Sequence, residues 1–169
     1  ITDSEDWQKK IGLLSQENYL IDDTIKNNII FLNEDKETNS ENLNNAIIFS
    51  GLKDLIKDLP DGLDTFVGEK GNFLSGGQIK RLALSRLIYR DPEIFILDEF
   101  TNSLDFEIED YILNSIKELQ IKKNKTVIMI THKMKPLRIC DNIFVVKNGA
   151  VVEELSYNEF YSKFSSLYN

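Results

Sequence analysis

An α/β fold, with a mainly parallel sheet flanked by helices, is predicted by three observations. Short apolar runs at residues 11–14, 94–97 and 126–130 have the length and content of strands. Stretches of helical periodicity stand between them, and strands alternating with helices build parallel sheets. A further block of helical spacing, residues 43–59, precedes a serine-glycine segment at residues 75–77 and reads as a helical insertion.

Residues 11–15 (Ile, Gly, Leu, Leu, Ser) stop at the polar Gln16, as a buried strand feeding a loop does. Residues 23–33 have a mixed pattern. Residues 34–42, charged and Asn-rich, are expected to form a mobile surface loop. Leu43, Ala46, Ile47, Leu52, Leu55, Ile56 and Leu59 recur at helical spacing; Gly51 breaks the run and Pro60 ends it, so two short helices are expected. A Gly-rich link over residues 62–71 leads to Leu74, Ser75, Gly76, Gly77 and Gln78. Ser75 reads as the N-cap of a helix with a buried face of Leu82, Leu84, Leu87 and Ile88, ended by Asp91 and Pro92. Ile94, Phe95, Ile96 and Leu97 suit a strand covered on both faces, with Asp98 and Glu99 at its carboxyl end. A helix over about 106–119, a strand at 126–131, a short helix, and strands at 143–146 and 151–154 follow. Asn148 and Gly149 join the last two in a tight hairpin.

Composition narrows the function classes. The 169 residues, 41% of them hydrophobic, suit a single domain with its own core. Lys+Arg total 20 against Asp+Glu 28, a formal net charge of −8 that argues against a dedicated nucleic-acid binder. No apolar stretch approaches the ~20 residues needed to span a bilayer. Cys140 is the single cysteine and residues 1–10 lack an apolar signal core, which together point to the cytoplasm.

Two places carry chemistry. Glycines at a helix start, here Gly76 and Gly77 after Ser75, bare backbone N–H groups and let an anion approach; an ordinary glycine-bearing helix start has the same appearance. Asp98 and Glu99 fall at the carboxyl edge of a parallel strand, where open α/β folds bind ligands. Asp98 suits Mg²⁺, held largely through water, and Glu99 suits a general base for an attacking water. Alternatively, both acids cap the helix beyond the strand.

Ser75-Gly76-Gly77-Gln78, Leu97-Asp98-Glu99 and Ser103-Leu104-Asp105 together resemble the signature, Walker B and D-loop of ABC ATPases, a P-loop NTPase-like fold with a helical subdomain of its own. Gln16 after its strand is similar to the Q-loop of that family, and His132, within Thr131-His132-Lys133, to its switch histidine. The resemblance implies ATP and Mg²⁺ as cofactors. In it Asp98 and Gln16 attend the metal, Glu99, His132 and Gln16 serve hydrolysis, and Ser75, Gly76, Gly77 and Gln78 clamp the γ-phosphate of ATP held by an opposing subunit. Asp105 helps couple the two composite sites. It also implies one nucleotide-binding domain fragment over residues 1–169: about 20–90 the helical subdomain, 1–19 and 91–155 part of the catalytic core, and 156–169 a C-terminal helix.

Residues 65–71, including Glu69, resemble the X-loop of ABC exporters, and Asp23-Thr24-Ile25 with Asn28-Ile29 is similar to exporter sequences after the Q-loop. The partners so implied are a second nucleotide-binding domain and the coupling helices of a transmembrane domain, at the cytoplasmic face of a membrane, with no nucleic acid. A soluble ABC-type ATPase and a non-hydrolysing regulatory module are the alternatives. The match departs at Phe100, where the family commonly has alanine, and at Asn102-Ser103, where it has serine-alanine. No GxxxxGK[ST] run occurs, so these residues alone are expected to bind ATP poorly, be inactive and associate through exposed strand edges. Retention of Glu99 and His132 favours truncation over degeneration; micromolar ATP affinity would refute that.

Overall fold

A computed structural model describes residues 4–31 and 38–167. The chain divides into two compact units, Ile1–Ile130 and Thr131–Asn169.

The first unit holds a three-stranded parallel sheet, β1 (Ile11–Leu14), β2 (Ile94–Asp98) and β3 (Thr126–Ile130), in that spatial order. Helix α1 (Ser4–Lys10) precedes it. Between β1 and β2 come α2 (Ile25–Ile29), α3 (Ser40–Phe49), α4 (Lys53–Asp58) and α5 (Gly76–Arg90), and α6 (Phe106–Lys123) leads from β2 to β3. Rows Gly12–Phe95–Val127 and Leu14–Leu97–Met129 share one face. Phe95 and Leu97 are buried there, at 4% and 0% exposure. Helix α5 packs so tightly on this face that a Cβ at Gly12 would collide with Leu87 and lie 2.8 Å from Pro92 Cγ. The other face carries Leu13, Ile96 and Ile128 in one row, and Leu13 and Ile128 are 63% and 49% exposed. The expected cover on both faces of β2 is therefore corrected: Phe95 and Leu97 are buried on one face, and Ile94, Ile96 and Asp98 are half-buried on the other.

Local chemistry sets the helix ends. Asn39 caps α3 through a 3.0 Å bond from Asn42 N, so the loop expected through residue 42 gives way to helix at Ser40; residues 34–37 lie outside the described residues. Gly51, with φ +68°, separates α3 from α4 as expected. The mixed residues 23–33 contain α2, capped by Thr24, a signal too short to show as periodicity. Asp91 closes α5 in the left-handed region, φ +50°, and ion pairs from Lys123 and Lys125 hold it. Helix α6 runs to Lys123, beyond the expected 119, because Asn124 in the left-handed region supplies its stop.

The second unit contains α7 (Met134–Leu137), the antiparallel pair β4 (Ile143–Lys147) and β5 (Ala150–Leu155), and α8 (Tyr157–Phe164). Asn148 and Gly149 both have positive φ, +51° and +77°, the geometry of the expected tight turn. Ser156 and Glu159 form a capping box at the start of α8. Among the described residues no helix is long and apolar enough to cross a membrane.

Candidate functional site

Ser75 caps α5 by a reciprocal pair of bonds: its Oγ accepts from Gln78 N at 3.3 Å, and Gln78 Oε1 accepts from Ser75 N at 2.8 Å. This satisfies two donors of the first turn and leaves the amides of Gly76 and Gly77 among those without a helical acceptor. The glycines differ in what surrounds them. A Cβ at Gly77 would stand 2.8 Å from Ser103 O, whereas one at Gly76 would meet only Ser103 Cβ, at 3.9 Å. Thus Gly77 lets the helix start approach the backbone after β2, and Gly76 opens onto space. That space is a concavity of about 330 Å³, lined also by Arg81, Leu104 and Asp105.

The concavity carries mixed charge. Asp105 caps α6, its Oδ1 accepting from Ile108 N at 3.0 Å. Arg81 donates to Gly51 O at 2.8 Å; burial lowers its pKa, and the Asp105 carboxylate partly offsets that. The positive end of α5 adds to the attraction for an anion. Asp105, not Asp98 or Glu99, therefore fills the capping role that the two strand-end acids offered as an alternative.

Asp98 ends β2 opposite Ile130, and Leu14 stands opposite Leu97, so Gln16, two residues past β1, leaves the sheet at the same edge as Asp98 and Glu99. Gln16 is exposed; Asp98 and Glu99 are half-buried. Asp98 and Gln16 offer few, hard oxygen donors, the set that suits Mg²⁺ held mainly by water and phosphate. Glu99 has the left-handed φ of +46°, uncommon outside glycine. Its N–H donates to Ile130 O at 2.9 Å, and its Oε2 accepts from Asn102 Nδ2 at 2.9 Å. Phe100, the departure from alanine, is buried.

His132 is exposed, two residues past β3, within the second unit. The two exporter-like stretches meet: Ile25 N donates to Thr65 O at 2.9 Å, Val67 N to Asp23 O at 3.1 Å, and Glu69 is exposed. Arg86 on α5 then ties the segment after Gln16 to the same helix. It donates to Tyr19 O, Asn28 O and Asn28 Oδ1, each at 2.9 Å, and burial lowers its pKa. Asn28 itself is fully buried and also bonds Ile21 and Thr24. Lys80, Arg81, Arg86 and Asn102 were not legible as site residues. For Lys80 a signal exists, since it stands four and seven residues before Leu84 and Leu87, on the buried stripe of α5.

The chain is 42% identical over 154 residues to the ATP-dependent lipid A-core flippase of Vibrio vulnificus strain YJ016, covering 91% of this chain and 26% of that protein. It is 36% identical over 168 residues to the alpha-hemolysin translocation ATP-binding protein HlyB of Escherichia coli O157:H7, covering 99% and 23%. The chain therefore spans about a quarter of the length of these relatives. A bacterial Atm1-family ABC exporter solved with ATP bound superposes with a TM-score of 0.86 at 28% identity, over 97% of this chain and 28% of that one. The family profile described as ABC transporter matches residues 1–102, which take in the Ser75 helix start and the Asp98-Glu99 strand end, and with it this chain belongs to the ABC transporter family.

Proposed function

We propose that these residues form much of the ATP-hydrolysing, nucleotide-binding domain of an ABC exporter. It works at the cytoplasmic face of a membrane, paired with a second such domain and driving a transmembrane partner. Residues of about 20–90 serve as its helical subdomain, 1–19 and 91–155 as part of its catalytic core, and 156–169 as its C-terminal helix.

Glu99 carries the reading: a carboxylate at the carboxyl end of a parallel strand, in a backbone conformation maintained by bonds to β3 and to Asn102. In hydrolysis its carboxylate takes a proton from the water whose oxygen bonds the γ-phosphorus, the bond from that phosphorus to the β–γ bridging oxygen breaks to leave ADP, and the proton passes to the inorganic phosphate released. Ser75, Gly76 and Gly77 receive the γ-phosphate of ATP carried by the opposing domain, with Gln78 holding their turn in shape. His132 contacts the same phosphate, and Asp105 links the two composite sites. Asp98 and Gln16 would hold Mg²⁺, which when bound neutralises charge on the β- and γ-phosphates. The exposed Glu69 meets the coupling helices of the transmembrane partner.

Glu99→Gln keeps the side chain's size and removes its charge. In the whole protein it is expected to lower ATP turnover by about 10²–10⁴-fold, with ATP still bound. Turnover left intact would refute Glu99 as the base.

A further inference from the structure

Lys80, on the second turn of α5, is only 8% exposed, and its Nζ donates a 2.9 Å bond to the backbone oxygen of Glu99. That oxygen also accepts from Asn102 N at 3.2 Å, while Glu99 N is held by Ile130 O. A left-handed conformation at a residue with a Cβ is unfavourable and persists only where the surroundings over-determine it. A hydrogen bond from an ammonium is about twice as strong as a neutral one, and a buried ammonium is costly unless its donors are used. The same helix begins at Ser75, about 7.5 Å along its axis from Lys80. One rigid element therefore presents the glycine-opened turn at its start and holds the Glu99 backbone farther on.

We infer that Lys80 is a positioning residue: its bond to the Glu99 carbonyl sets the backbone conformation that aims the carboxylate, coupling the base to the helix that receives phosphate. This rests on the reading of Glu99 as the base. A displacement of about 1 Å in a reacting group can cost 10²-fold in rate, so a bond to the backbone of the residue that bears the carboxylate has leverage over turnover without touching the nucleotide.

Three variants of the whole protein test it: Lys80→Met, Lys80→Gln and Glu99→Gln. Lys80→Met, which keeps the stem and removes the donors, is expected to lower kcat about 10–100-fold with KM for ATP within about twofold. Lys80→Gln, which restores a neutral donor, is expected to recover a substantial part of that loss, as a mere filler of space would not. In a Glu99→Gln background, Lys80→Met is expected to cost nothing further. If Glu99→Gln abolishes turnover and Lys80→Met leaves kcat unchanged, the positioning role alone is overturned. The same holds if Lys80→Met lowers ATP binding and kcat together, or if Lys80→Gln is as impaired as Lys80→Met. If Glu99→Gln leaves turnover intact, the reading of the base falls and this inference with it.

Discussion

Two helices of this molecule begin with the same device and do different things with it. Helices α5 and α8 both start at a serine whose hydroxyl caps the third helical residue, with that residue's side chain returning the bond. At α8 the intervening residues are Tyr157 and Asn158 and the returning group is a carboxylate, Glu159. At α5 they are Gly76 and Gly77, and the returning group is the neutral Gln78. A capping box thus specifies a helix start and nothing more. The α5 start differs in its glycine-bared amides and in the neutral group that closes its box, both of which favour an anion, and in its close approach to Ser103.

Exchanging features between the two starts probes that difference. Gly77→Ala forces a Cβ to within 2.8 Å of a backbone oxygen and should destabilise the fold by about 1–3 kcal/mol in a denaturant titration. Gln78→Glu makes the α5 box like the α8 box; helix stability should hold within about 0.5 kcal/mol, yet ATP turnover should fall about tenfold or more as two negative charges meet. Gly76→Ala separates folding from binding in the other direction. Its Cβ enters open space, so stability should stay level or rise by up to about 1 kcal/mol while turnover drops.

The smallest effect belongs to α8. Bonds from the Ser156 backbone and hydroxyl hold the Glu159 carboxyl below its ordinary value. A depressed acid stabilises the folded form above its unfolded value and loses that contribution as pH falls through the folded one. The melting temperature should therefore decline on acidification slightly more in the wild type than in Glu159→Gln, and equal slopes would show the bonds to carry no stability.

The helix start was legible in the sequence because its determinants are local: a serine, two glycines and a glutamine within four residues are enough. The strand end was legible only in part. Asp98 and Glu99 could be assigned to a sheet edge from Ile94 to Leu97, but the left-handed backbone of Glu99 depends on Ile130 and Lys80, which are distant in the chain. Arg86 was hidden for the same reason, since its acceptors on Tyr19 and Asn28 are nearly 60 or more residues away. Residues 23–33 concealed α2, whose five residues are too few for a period to emerge.

In the proposed composite site, Ser75 of one domain and Glu99 of another serve a single ATP. This sharing can be tested in a pair of whole proteins, one copy carrying Glu99→Gln and the other Ser75→Arg, each inactive when paired with itself. Shared sites leave one site with both residues intact, so the mixed pair should recover ATP turnover that neither parent shows. A mixed pair as inactive as its parents would mean that each domain uses its own Ser75 and Glu99, contradicting the composite site.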